Sequence, residues 1–139
     1  MDSGAILQHL FLITSSDITT TSKVTKLSPS ISQGAEYGSI TITPTRAGTK
    51  ILVKTNAECV LSAGYSASHI ALFKNSTSAC LNYGYIPILT ADWVAEILCQ
   101  YSEVTTNTTA ITFSARGGSE TTGTYTIKKG ALLEVIEIA

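Results

Sequence analysis

From Lys50 to Val60 the chain alternates, with Ile51, Val53, Thr55 and Ala57 on one side and Lys54, Asn56 and Glu58 on the other. A two-residue period collects the first set on one face of a β-strand, whereas a helix would scatter it around its circumference. The pattern returns between turn signals along most of the chain. Ala5 to Ile13 reads as a strand with Ala5, Leu7, His9, Phe11 and Ile13 on one face and Ile6, Leu10 and Leu12 on the other, both faces covered. Tyr37 to Thr43 is another, stopped at Pro44, which cannot donate to a ladder. Ser68 to Lys74 and Ala79 to Tyr85 flank Asn75-Ser76-Thr77-Ser78 and read as a hairpin with a four-residue loop.

Ala91 to Tyr101 fits two periods. Val94, Ile97, Leu98 and Tyr101 have helical spacing, but Trp93, Ala95, Ile97, Cys99 and Tyr101 alternate with Glu96 and Gln100, and the alternation predicts a strand. Thr109 to Arg116 alternates up to a turn expected at Gly117-Gly118, and Thr122 to Lys128 and Leu132 to Ile138 complete the series. Thr14 to Gln33 reads as a Ser/Thr-rich loop with one weak strand near Val24 and Leu27. No segment recurs at a fixed period, which disfavours a propeller or solenoid. Eight to ten short strands predict an all-β, antiparallel two-sheet sandwich of jelly-roll topology. Leu132 to Ile138, apolar except at Glu134 and Glu137, is expected to be a central strand.

With 139 residues the chain is expected to form one domain, 1–139. Nine Lys and Arg against ten Asp and Glu leave no positive surplus for a phosphate backbone, so nucleic acid is not an expected partner. The longest apolar run, Ile6 to Ile13, is far short of the roughly 20 residues of a spanning helix, and no membrane partner is expected. The three cysteines, Cys59, Cys80 and Cys99, are too widely spaced for a metal knuckle and too few for a disulfide framework; they read as buried thiols.

Groups for catalysis are scarce. The chain holds two histidines, His9 and His69, three aspartates and seven glutamates, with no His-x-His pair, no HExxH and no Gly-x-Ser-x-Gly. Gly117-Gly118 precedes no helix, so no phosphate loop is expected. Asp92, Glu96 and Glu103 cluster in sequence near Trp93 and Tyr101 and could be weighed as a glycosidase pair, but edge charges on a strand explain them as well. The expectation is no enzyme, and no catalytic, cofactor-binding or metal-ligating residues.

Charged residues make up only 14% of the chain, while 21 Thr and 16 Ser crowd it. A polar surface of small hydroxyls is cheap to desolvate, which favours burial against copies of the same chain. Phe73, Tyr83, Tyr85, Trp93 and Tyr101 supply large contact area with a polar handle and are the candidate interface residues; filling the sandwich core is the alternative role for them.

Tyr37-Gly38-Ser39-Ile40-Thr41-Ile42-Thr43-Pro44, Lys50-Ile51-Leu52-Val53, Ala71-Leu72-Phe73-Lys74-Asn75 and Leu132-Leu133-Glu134-Val135-Ile136-Glu137-Ile138 resemble successive strands of a jelly-roll module of bacteriophage virion proteins, especially those of aquatic phages. That module is similar in architecture to the heads of the tumour-necrosis-factor and complement C1q group. The resemblance implies a homotrimer with one sheet of each subunit facing the axis, located in the virion and assembled in the host cytoplasm. It departs at Lys74, where arginine is common, and at Tyr101-Ser102-Glu103, where Tyr-x-Asp is common, so no specific ion pair is carried over. Two roles are implied: a capsid cement or decoration trimer bound to the major capsid protein, or a tail- or head-fibre tip attached to tail proteins and recognising host glycans. No heptad stalk or collagen-like run is present, which favours the first; Gly4-Ala5-Ile6-Leu7-Gln8, similar to the entry into fibre heads, favours the second. Residues 1–35, the N-terminal strand and the Ser/Thr-rich segment, are the expected partner-facing part.

Overall fold

Alternation of apolar and polar residues becomes alternation of buried and exposed ones most cleanly in the strand Lys50–Leu61, where every second residue from Ile51 to Leu61 is buried. In the computed structural model, which describes residues 4–26, 28–121 and 123–139, every regular element is a strand. There are ten: β1 Ile6–Ile13, β2 Ile18–Thr20, β3 Ala35–Ile42, β4 Lys50–Leu61, β5 Ser66–Lys74, β6 Asn82–Ile88, β7 Val94–Val104, β8 Ile111–Ser119, β9 Tyr125–Ile127 and β10 Leu132–Ile138.

All the pairings are antiparallel. In the six-stranded sheet β4 has β7 along one edge. Its other edge takes β10 over Lys50–Asn56 and β9 over Cys59–Leu61. β1 continues the sheet beyond β10, and β2 continues it beyond β9. The second sheet runs β3-β8-β5-β6. Neighbours distant in sequence, such as β1 with β10 and β3 with β8, are the mark of the expected jelly roll. Between the sheets lie Ile42, Ile51, Val53, Leu61, Ile70, Leu72, Phe113, Tyr125, Ile127, Leu133 and Val135. The tyrosines in this core keep their hydroxyls satisfied: Tyr37 meets Thr55 Oγ1 at 2.6 Å and Tyr125 meets Ser68 Oγ at 2.6 Å.

Several local expectations are corrected. β1 is not covered on both faces: only Leu10 of its outer half reaches the core, while Ile6, Phe11, Leu12 and Ile13 are exposed. The weak strand of the Ser/Thr-rich segment is Ile18–Thr20, which finds β9, and Leu27 lies outside the described residues. Val24 is buried without being in a strand, its amide bonded to Ser119 O at 2.9 Å. A bulge between Glu36 and Gly38 turns both Tyr37 and Gly38 inward, where strict alternation would separate them. Gly117-Gly118 does not turn the chain; β8 runs through to Ser119, and a Cβ on Gly118 would stand 2.7 Å from Val24 Cγ1. The β5–β6 hairpin exists, but its loop spans residues 75–81, because Ala79 bridges to Ser30. Of the three thiols, Cys59 and Cys99 are buried as expected and Cys80 is half-buried.

The sheets also meet along one side, where Asn82 Nδ2 donates to Gln100 O at 2.7 Å. Here β6 presses on β7 so closely that a Cβ on Gly84 would lie 2.7 Å from Leu98 O and 3.0 Å from Ile97 Cγ2. The obstacle is backbone and cannot swing away. Gly84→Ala is therefore expected to lower stability by roughly 1–3 kcal/mol, read as a lower urea midpoint with an unchanged slope; an unchanged midpoint would mean that this seam can open freely.

Candidate subunit interface

The ladder registers place the outward side chains of the six-stranded sheet in rows. Ile6, Ile138, Lys50 and Val104 form one row across β1, β10, β4 and β7; Phe11, Glu134, Lys54 and Gln100 form another; Ile13, Leu132, Asn56 and Leu98 a third. Near the far end Glu58 pairs with Glu96 and Val60 with Val94. Leu98 is 71% exposed and Phe11 63%, and Ile6, Ile13, Val94 and Val104 are exposed as well. An open hollow of about 580 Å³ lies within this face, lined by Lys54, Asn56, Leu98, Gln100, Leu132 and Glu134 among others. A single exposed Leu is ordinary, but apolar groups repeated across three strands of one face are characteristic of a surface that binds.

Its charges are left incomplete in the same way. Glu58 and Glu96 stand directly opposite each other, an arrangement of like charges that destabilises a strand pair. Among the described residues neither of them, nor Lys50 or Lys54, has an ion-pair partner, whereas Glu134 is met by His9 Nε2 at 2.7 Å. One face thus holds a doubled negative site at Glu58 and Glu96 and a positive one at Lys50, whose ladder neighbours Ile138 and Val104 are apolar, while Lys54 stands opposite Glu134. A surface with the same two sites, suitably turned, complements both.

Of the five aromatic residues singled out in the sequence, Tyr83 lines this hollow, reaching it from β6, and the other four lie elsewhere. Phe73 is 0% exposed in β5 and cannot anchor a partner, which corrects that expectation. Tyr101 is half-buried against the core, its hydroxyl 3.5 Å from Glu103 Oε2. Tyr83 and Tyr85 belong to the other sheet, where they flank the buried His69; Tyr85 stacks on its ring at 5.5 Å, and His69 Nε2 meets Glu120 Oε1 at 2.7 Å. Trp93 is exposed, on the loop before β7. The residues that sequence reasoning passed over are Val94, Leu98 and Val104. Their signal was present: β7 carries apolar residues on both faces, and only one face can point to the core.

The chemical groups stay apart. Glu96 and Glu103 are seven residues apart along one extended strand, about 23 Å at its usual rise, and Glu96 faces outward while Glu103 shares the inward face with Tyr101. A glycosidic pair needs about 5–9.5 Å, so Glu96 and Glu103 do not form one. Glu103 Oε2 is held by Lys74 Nζ at 2.8 Å. Burial pushes the Cys59 thiol up to about 11 and that of Cys99 up to about 12, which keeps both as inert thiols at neutral pH.

No protein-family model and no curated protein matches the chain. Among solved structures it is similar to the tumour necrosis factor Eiger of S. frugiperda, with a TM-score of 0.50 at 6% identity over 89% of this chain and 94% of that one. The chain has a jelly-roll fold of tumour-necrosis-factor type. It is also similar to a chain in the structure of the infectious bursal disease virus Gx strain, with a TM-score of 0.50 at 10% identity over 98% of this chain and 38% of that one. At these identities the likeness extends to the jelly roll and not to any site upon it.

Proposed function

We propose that this chain is a non-enzymatic structural protein of a bacteriophage virion, a homotrimeric cement or decoration protein that stabilises the head. The observation that carries the reading is the outer face of the six-stranded sheet, with Phe11 and Leu98 exposed among other apolar residues and with unpaired charges of both signs. Further copies of the chain can cover such a face, and the three-fold arrangement is the one the sequence resemblance implies. A trimer bound to the major capsid protein multiplies modest contacts by its valency. Residues 1–35 are proposed to face the partner, and their described part, 4–26 and 28–35, runs along both sheets: β1 and β2 edge the six-stranded sheet, and Arg116 Nε on the other sheet donates to Gln33 O at 2.8 Å.

Light scattering is expected to give about 44 kDa, three copies of the 14.7 kDa chain. Leu98→Glu, which alters an exposed side chain and leaves the core intact, is expected to shift the mass to that of a single chain while the folded circular dichroism spectrum persists. A wild-type monomer at micromolar concentration, or a trimer untouched by both Leu98→Glu and Phe11→Glu, sinks the proposal. In a particle reconstruction the cement role requires on the order of hundreds of copies on the head.

A fibre tip that recognises host glycans is the second reading. It is favoured by one observation: Tyr65 and Trp93 stand exposed on loops at the end of the sandwich opposite Gly4 and Ala139, which hydrogen-bond to each other at 2.9 Å. A handful of copies at a fibre, in place of a covered head, selects this reading.

A further inference from the structure

We propose that the end of the sandwich formed by the β4–β5 and β6–β7 loops is a binding surface for neutral saccharides, with Tyr65 and Trp93 as stacking platforms and Asp92 as a hydroxyl acceptor. The inference rests on the second reading above and names its site and ligand class. Tyr65 is 88% exposed and Trp93 55%, and Leu89, the first residue of the β6–β7 loop, is exposed too. Display of this kind contributes nothing to the core.

The backbone holds these groups out in conformations that side-chain-bearing residues rarely adopt. Tyr65 has φ 58° and Asp92 φ 64°, both left-handed. Such conformations persist where surrounding structure enforces them, and they concentrate at ligand sites. The enforcement is visible: Asp92 N donates to Leu61 O at 2.8 Å, Ser62 N to Thr124 O at 3.0 Å, and a Cβ on Gly64 would stand 3.0 Å from Leu89 O. The two loops are locked against each other, so the platforms are pre-organised and lose little entropy when a ligand binds.

Charge and shape select the ligand class. Residues 61–66, 86–96 and 120–124 contain no Lys or Arg, so nothing there would pair with a sialic acid, sulfate or phosphate group. A ring as open as Tyr65 cannot be a wall of an aromatic cage around a cation, since cage walls screen one another. What remains is a flat apolar face beside hydroxyl and carboxylate acceptors, which suits the C–H face and hydroxyl rim of a neutral pyranose.

The probe is a printed array of neutral, sialylated and sulfated glycans, read with the intact protein. Signals confined to neutral glycans, and at least tenfold lower for both Tyr65→Ala and Trp93→Ala at unchanged melting temperature and mass, are the expected result. A blank array, signals on the charged glycans, or binding indifferent to both substitutions overturns the inference. Trp93 is the only tryptophan, so its emission is a second readout; a shift with choline chloride beside a blank array assigns the surface to a cation instead. The two levels fail separately: a protein located at a fibre tip with a blank array loses only this inference, and one covering the head yet binding neutral glycans loses only the fibre reading.

Discussion

Deleting residues 132–139 is expected to leave a chain with a disordered circular dichroism spectrum and no cooperative melt. β10 lies between β1 and β4, and it is the only ladder partner of β1 among the described residues. Removing it takes Leu133 and Val135, 1% and 0% exposed, out of the core. Burial of two such side chains contributes about 3–6 kcal/mol, a large part of the roughly 5–15 kcal/mol that holds a domain of this size folded. The two ladders and the Glu137 carboxylate go as well. A truncated chain that melts like the full one would show that the six-stranded sheet does not depend on its C-terminal strand.

Glu137→Ala is expected to cost about 3 kcal/mol, the upper end of what hydrogen bonds to a charged group contribute. The residue is 0% exposed, and its carboxylate accepts four hydrogen bonds: from Gln8 Nε2 at 2.6 Å on Oε2, and from Thr45 N at 2.9 Å, Thr45 Oγ1 at 3.0 Å and Thr49 Oγ1 at 2.8 Å on Oε1. The β3–β4 loop is thereby tied to the last strand. Burial pushes the carboxyl up, but the hydrogen bonds from Gln8, Thr49 and Thr45 together outweigh it and hold it below its usual 4.5. A carboxyl held low in the folded state is more easily protonated in the unfolded chain. Its stabilisation is therefore complete above the ordinary glutamate range and is lost as pH falls through the lower folded value. Asp17, held low by the Lys129 amide and the Lys128 ammonium, titrates in the same direction. Comparing wild type with Glu137→Gln in urea at pH 7 and pH 3 isolates the Glu137 share: the wild type is expected to lose more stability over that interval. Equal losses would mean that the buried carboxylate is not an acid-sensitive tie.

β4 and β10 were legible because one period governs each of them from end to end; β7 reads as a strand against a competing helical spacing, and it runs on to Val104, past Tyr101, where the alternation read from the sequence ends. The bulge at Tyr37 and Gly38, the passage of β8 through Gly117-Gly118 and the burial of Phe73 were not, because each is decided by segments remote in sequence. Val24 lies over Gly118, Ala79 is drawn to Ser30, and both faces of β5 are covered, with Ile70 and Leu72 toward the core and His69 and Phe73 away from it. Alternation states that two faces exist without saying what covers either. For that reason the aromatic residues were legible as large contacts but not as a surface, and the exposed face of the six-stranded sheet emerged only when the registers of four strands were set side by side.

The pairing of Ile6 with Ile138 fixes when this molecule can become itself. At a synthesis rate of about 5–20 residues per second, roughly 6–25 s separate the emergence of the first strand from that of its partner. During this interval Leu7, Phe11 and Leu12 leave the ribosome with no ladder to join. Contacts this distant along the chain also make spontaneous refolding slow, so a nascent subunit is exposed to aggregation for far longer than a helical protein of equal length, and a holdase at its N-terminus would raise its yield.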